Sequence, residues 1–292
     1  MTKLAKSAKI RVISSKSDYL CNRFRNKKLK TINTMGNNYK FDAAKVTEDL
    51  IEWCRNYFAQ AGEDSKAVLG MSGGKDSTVS AALLCRALGP DRVIGVSMPQ
   101  DNQSLNDADL ICRALGIKMF RVNIGAACTG LLQSMEEAGA ELNKASVQNI
   151  PPRIRMATLY AIGQSNNARV INTCNLSEDW IGYATKCGDG AGDLSLLANL
   201  TVTEVLAIGD HLGLPYEWVH KTPDDGLPHS CPDEEKLGFT YSELDIYIRN
   251  GKAPEGYVHN NEAEGLKRDK IDRLHSANLH KLLPMPAFKP KE

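Results

Sequence analysis

This 292-residue chain is short of several features, and each absence narrows what it can be. None of its eight cysteines (Cys21, Cys54, Cys85, Cys112, Cys128, Cys174, Cys187 and Cys231) belongs to a C-x-x-C pair. Paired-ligand zinc sites and dithiol redox motifs are therefore excluded. A chain of this size buries about 75% of the surface its unfolded form exposes, so its core needs no disulfide staples. The cysteines read as free thiols of a reducing compartment, and the expected location is cytoplasmic. No apolar run approaches the ~18 residues of a membrane span, so no membrane partner is expected. Internal repeats and low-complexity tracts are also missing.

Net charge is nearly absent too, at +1, but this conceals an asymmetry. Residues 1–30 hold ten Lys and Arg against a single acid, Asp18, so the remainder of the chain is acidic. That segment shows neither helix nor strand periodicity. Residues 1–38 are therefore expected to form a disordered basic arm, with 39–292 as the folded domain. The arm reads first as an appendage, upstream of a working start at Met35. A transit peptide and contact with nucleic acid or another anionic surface are the alternatives.

From residue 40 the pattern alternates between helix and strand. Residues 43–61 carry Val46, Leu50, Ile51, Trp53, Cys54, Tyr57 and Phe58 at helical spacing. Buried strands are expected at 67–71, 92–98, 117–124 and 168–173. Helices are expected at 77–89, 106–115, 126–142 and 146–165, the last entered through Pro151 and Pro152. After 173 the sequence is loop-rich. A helix near 202–212 follows, with Thr201 and Glu204 as its capping box. A turn-rich loop (221–233), a short helix (240–250) and a basic C-terminal helix complete the chain. The fold class is α/β: a doubly wound, Rossmann-like parallel sheet flanked by helices, with ligands at the carboxyl ends of its strands.

Residues 70–77, GMSGGKDS, carry the chemistry. A Walker A loop needs four residues between its first glycine and its Gly-Lys, then Ser or Thr. Here three residues separate Gly70 from Gly74, and Asp76 follows Lys75. Gly73 and Gly74 let the backbone approach an anion, and the following helix offers free N–H groups to it. Asp76 cannot face phosphate unaided. It becomes favourable when Mg²⁺ lies between them, so the loop reads as a seat for magnesium-bound pyrophosphate.

The S-G-G-x-D-S run after a first parallel strand resembles the PP-loop of the N-type ATP pyrophosphatases, whose fold is the adenine nucleotide alpha-hydrolase type. NIPPRIRMATLYAIG (149–163), NTCNLSEDWIGYATKCGDGAGDL (172–194), PDEEKLGFTYSELDIYI (232–248) and HKLLPMPAF (280–288) resemble, in order, segments of the ammonia-dependent NAD synthetases within that superfamily. The resemblance spans 43–288. It implies a reaction in which deamido-NAD is adenylated by ATP and then amidated by ammonia, giving NAD, AMP and pyrophosphate. It implies ATP contacts at Gly70, Met71, Ser72, Gly73, Gly74, Lys75, Asp76, Ser77 and Thr173. Asp76 and Glu178 take the catalytic and Mg²⁺-binding positions. Arg153, Lys186, Asp193, His280 and Lys281 take deamido-NAD-binding positions. The family's habit implies a homodimer, and the chain has no room for an added amidase domain to generate ammonia.

Each of these residues has a plainer alternative. Glu178 alone fits a helix-start carboxylate that complements the dipole, and His280 alone fits a surface histidine. Arg153 and Arg155 lie two apart on a helix and point differently, so at least one of them is expected to be structural or solvated. The sequence also departs from the family pattern. Val202 stands where many members carry a phosphate-touching Lys, a loss worth about 10²-fold in rate unless Lys75 or Lys221 replaces that charge. Asp224 replaces a hydroxyl residue, Asn172 replaces a small residue, and Ser97 holds a place where some members have Arg. Two other readings stay open here: a non-catalytic nucleotide-binding homologue, and another PP-loop enzyme such as one that modifies tRNA. Deleting residues 1–34 is expected to leave both fold and turnover unchanged. Circular dichroism and initial rates on the truncated chain check this.

Overall fold

The structure is a computed structural model that describes residues 40–101, 103, 106–221, 233–250 and 262–288. The basic arm, Cys21, Cys231 and Asp224 lie outside the described residues. The order begins α1 (Ala43–Ala61), β1 (Lys66–Gly70), α2 (Lys75–Leu88), β2 (Val93–Ser97), α3 (Asn106–Leu115) and β3 (Lys118–Arg121). It continues α4 (Gly125–Glu137), α5 (Lys144–Gln148), α6 (Ile150–Ser165), β4 (Ala168–Asn172), α7 (Leu176–Ile181) and β5 (Leu194–Ser195). It closes with α8 (Val202–His211), α9 (Tyr216–Val219), α10 (Asp233–Leu237), α11 (Tyr241–Asn250) and α12 (Glu262–Leu282).

The five strands pair in parallel in the order β3-β2-β1-β4-β5. A parallel sheet needs crossovers, and crossover helices cover both faces. Strand alternation shows this directly. Ala67 and Leu69 of β1 join one buried cluster with Phe58, Leu83 and Ile208, contributed by α1, α2 and α8. Val68, between them, joins a second cluster with Ile94, Val96, Met156 and Leu159, on the α6 side. Fully burying side chains such as Phe58 and Leu69 is worth about 1.5–3 kcal/mol each, and these two clusters hold the sheet. A third cluster lies beside the strand ends. It joins Ile181, Val202, Leu237, Phe239, Tyr241, Leu244 and Ile271, tying α7, α8, α10, α11 and α12 together.

The expected doubly wound architecture is present, and most boundaries agree within a few residues. Several details differ. The single helix expected over 146–165 is two helices, α5 and α6, because the polar Asn149 ends one and begins the next. The Asn149 side chain turns back to donate to Ala145 O at 2.8 Å, an interaction that periodicity does not register. The helix expected to 142 stops at Glu137, where Gly139 takes a positive φ of 74°. The two-residue β5, which the sequence hid inside a loop, extends the sheet beyond β4.

The order in which strands are added reverses between β1 and β4. Helices α2 and α3 lead outward through β2 to β3, whereas the return through α6 places β4 on the other side of β1. The loops leaving β1 and β4 therefore splay apart and open a crevice at their carboxyl ends. Gly95 of β2 keeps the sheet tight against its helices. A Cβ there would lie 2.9 Å from both Cys112 Sγ and Met71 Cγ. Gly95→Ala is expected to destabilise the fold by about 1–3 kcal/mol through overpacking. A lowered urea midpoint with an unchanged m-value checks it.

Candidate active site

Two loops meet at that crevice. The first leaves β1 at Gly70. Met71 stays in the core, and Ser72 Oγ accepts the Gly74 N–H at 3.2 Å. Gly73 takes φ +84°, and a Cβ on it would approach Asp107 Cβ to 2.8 Å, so only glycine fits the turn. The Gly74 carbonyl gathers the Thr78 N–H and the hydroxyls of Ser77 and Thr78, at 3.1, 3.1 and 2.8 Å. These bonds fix the start of α2 with its first-turn N–H groups facing the crevice, a geometry suited to phosphate.

The second loop leaves β4 at Asn172. Thr173 is half-buried at its start. Asn175 caps α7 by accepting the Glu178 N–H at 3.0 Å, which sets Glu178 in the first turn. The Asn175 Nδ2 donates across the crevice to Asp76 Oδ1 at 3.0 Å. One residue thus fastens both carboxylate-bearing helices. Its N-x-x-E spacing to Glu178 is a capping signature, and that signal could have revealed it in the sequence.

Lys75 closes the group. Its Nζ lies 2.9 Å from Asp76 Oδ2 and 3.5 Å from Glu178 Oε1, and its side chain is only 6% exposed. The Tyr241 ring lies beneath the same ammonium, 5.9 Å from centroid to Nζ. Burial opposes the charge on Lys75, but Asp76 and Glu178 outweigh it and hold the ammonium above the usual lysine range. Burial first and the Asp76 charge second push the Glu178 carboxyl up to about 7, with Lys75 opposing the shift. Glu178 retains 23% side-chain exposure, so water or an ion reaches it. The Tyr241 phenol is also held well above its usual range, by burial first and the Glu178 charge second.

The donor set suits magnesium. Among the described residues no group of three His, Cys, Asp or Glu could hold a metal. Magnesium needs fewer, because it keeps waters and takes phosphate oxygens, so one or two carboxylates suffice. Asp76 and Glu178 share one lysine, which leaves excess negative charge for such a cation.

The residues expected to hold the dinucleotide fall into two places. Arg153 Nε donates to Lys186 O at 3.4 Å, and Lys186 Nζ donates to His280 O at 2.7 Å. Lys281 Nζ donates to Gly182 O at 2.6 Å. The end of α12 is thereby tied to the loop after α7, and four of the five residues come together. Asp193 is set into the sheet instead: its carboxylate accepts the Val170 N–H at 2.8 Å. Its charge helps raise the Tyr160 phenol, after burial. Arg155 is the structural member of the arginine pair. Its Nε donates to Met98 O at 3.1 Å, whereas Arg153 stays exposed.

Sequence reasoning missed Tyr241 and the Ser177–Asp245 pair. Ser177 Oγ donates to Asp245 Oδ1 and accepts the Val202 N–H at 3.0 Å, docking α11 onto α7 and α8. Val202 itself is buried in the third cluster. Asn172, the milder departure, donates to Asp189 O at 2.6 Å and accepts the Cys174 N–H at 3.0 Å, so it braces the strand end. Ser97 is fully buried at the end of β2 and offers no charge.

A carboxyl with a folded pKa near 7 and an ordinary value of 4.5 resists ionisation in the native state. Its ionisation therefore costs the fold stability as pH rises from about 4.5 to about 7, with no further loss above. Glu178→Gln is expected to gain stability relative to the parent across that window, in EDTA. Adding Mg²⁺ is expected to close the gap. Thermal melts from pH 4.5 to 8 check both.

Comparison with known proteins identifies the family. The profile described as NAD synthase matches residues 46–285. An NH(3)-dependent NAD(+) synthetase of Carboxydothermus hydrogenoformans is 38% identical over 238 residues, covering 80% of this chain and 93% of the relative. Its counterpart in Finegoldia magna is 36% identical over 209 residues, covering 71% and 85%. Among solved structures, an NMN synthetase from Francisella tularensis superposes with a TM-score of 0.74 at 29% identity, covering 87% of this chain and 100% of that one. An NH3-dependent NAD synthetase from Campylobacter jejuni gives 0.69 at 25%, covering 86% and 100%. With its strand order, its glycine turn and its two facing carboxylates, the chain belongs to the NAD synthase family.

Proposed function

We propose that this chain amidates the nicotinate carboxylate of deamido-NAD with ammonia, through an acyl-adenylate, and releases NAD, AMP and pyrophosphate. Family membership makes the chain an NAD synthase, a ligase that forms a C–N bond and uses ATP. The observation that carries the detailed reading is the placement of Asp76 and Glu178 across one crevice, beside the N-terminus of α2.

A carboxylate is a poor acyl electrophile, so it needs a leaving group first. In this reading Gly70 to Ser77 and Thr173 hold the triphosphate, with the α2 N–H groups and Lys75 on its oxygens. Asp76 and Glu178 would hold Mg²⁺, which when bound would neutralise charge that grows on the departing pyrophosphate. The nicotinate oxygen forms a bond to the α-phosphorus as the bond to pyrophosphate breaks. Ammonia then adds to the acyl carbon, AMP departs, and the surplus ammonia proton passes to solvent. Most of the protein's contribution is alignment and charge placement. The joined Arg153–Lys186–His280 contacts, with Lys281 beside them, support a dinucleotide seat at the end of α12, and Asp193 would contribute from its separate place in the sheet.

The homodimer and the cytoplasmic location are extended from the family. No described helix is long and apolar enough to cross a membrane. A second reading has one observation in its favour. The Francisella structure is an NMN synthetase, so the acid form of the mononucleotide is an alternative acceptor.

The test supplies the purified chain with ATP, Mg²⁺, ammonium and either deamido-NAD or nicotinate mononucleotide, with products read by mass spectrometry. NAD and AMP are expected with the dinucleotide. ADP as the nucleotide product contradicts the reading, and faster amidation of the mononucleotide favours the second one. Asp76→Asn is expected to lower turnover by at least about 10²-fold with an unchanged circular dichroism spectrum, because it removes a metal ligand and no core contact. Full activity in that variant removes Asp76 from the mechanism.

A further inference from the structure

Lys75 lies between the two carboxylates proposed to hold the metal. Its ammonium is within ion-pair distance of both carboxylates and is shut from solvent. Among the described residues it is the only basic side chain paired with either one. The other cations near the crevice are committed elsewhere: Lys186 and Lys281 to backbone carbonyls, Arg155 to Met98 O, and Lys221 to Asp107 at 2.6 Å. The surroundings hold Lys75 in place. Tyr241, 4% exposed, supports it from the third cluster, and the apolar Val202 in that cluster offers no competing charge.

An ammonium and a divalent ion cannot share one pair of carboxylates. Each would lose its counter-charges to the other, and their mutual repulsion in a half-dry crevice is large. Lys75 also begins α2, directly after the glycine turn, so its side chain is rooted beside the turn proposed to hold the phosphates. A triphosphate gives the displaced ammonium new acceptors; bare metal does not.

We propose that Lys75 is a resident counter-ion that holds the place of the divalent metal between Asp76 and Glu178 and yields it only when a triphosphate is present to receive the lysine. This rests on the assignment of Asp76 and Glu178 as the metal pair. Metal and nucleotide binding are thereby linked. Without nucleotide the two carboxylates stay neutralised and the metal binds weakly; with nucleotide both seats fill together. Lysine-free variants lose the competitor, so they bind metal better alone and gain less from nucleotide.

The experiment measures Mn²⁺ affinity of the full chain by electron paramagnetic resonance, with and without α,β-methylene-ATP, for the parent, Lys75→Gln, Lys75→Met and Lys75→Arg. The expected result is that Lys75→Gln and Lys75→Met bind Mn²⁺ alone at least about tenfold more tightly than the parent, with a smaller gain on adding nucleotide. Lys75→Met matches the apolar ring of Tyr241 and guards against a packing defect in the glutamine variant. Lys75→Arg keeps the charge and is expected to keep the weak nucleotide-free binding. Equal or weaker Mn²⁺ binding in both neutral variants, with thermal melts showing them folded, overturns the proposal. Asp76→Asn separates the two levels. If it binds Mn²⁺ with nucleotide as tightly as the parent, the metal assignment itself fails.

Discussion

Two carboxylates from neighbouring strand ends face each other across a half-buried crevice, and this repulsion organises the site. Asp76 arrives on the first turn of α2 and Glu178 on the first turn of α7. Each also complements its own helix dipole, so each is locally favourable where it stands. Together they are not, and three features make the pair tolerable. Asn175 donates to Asp76, Lys75 lies between both groups, and Glu178 keeps a path to solvent. In the proposed reading, the excess negative charge that remains would draw a cation to the crevice and, through it, a triphosphate.

Everything around the pair serves to hold that distance. The parallel pairing of β1 with β4 fixes where the two loops begin, and the two core clusters fix the sheet. The third cluster and the Ser177–Asp245 link place Tyr241 under Lys75. Arg249 adds a half-buried ion pair to Glu204, which is also the capping partner of Thr201, so α11 and α8 are locked together. The C-terminal helices therefore form one wall of the crevice, and α12 brings His280 and Lys281 within reach of the loop after α7.

Much of this was legible in the sequence because the relevant signals are local. Strand runs bounded by glycine, helix periods and the T-x-x-E cap all report short-range physics, and they located β1 to β4, α1 to α4 and α8. The glycine turn was equally plain, since its spacing and its Asp76 are read within eight residues. What stayed hidden depends on distant parts of the chain. Tyr241 matters because a cluster of five helices carries it to Lys75, and no spacing encodes that. Strand β5 is two residues long and is held by its partner β4 rather than by its own pattern. That Arg153 and Arg155 point differently was foreseen from their spacing, but that Arg155 is structural followed only from the position of Met98 O. Glu178 shows that the two readings of one residue need not compete: it is both the helix-start carboxylate and one half of the facing pair.

The central claim is that the carboxylates of Asp76 and Glu178 together hold one divalent ion against a triphosphate. The most direct measurement is a crystal structure with Mn²⁺ and α,β-methylene-ATP, in which anomalous scattering locates the metal. A peak within about 2.0–2.4 Å of oxygens from both carboxylates and from the phosphates is expected. A metal bound to phosphates alone, with Lys75 still between Asp76 and Glu178, would contradict it.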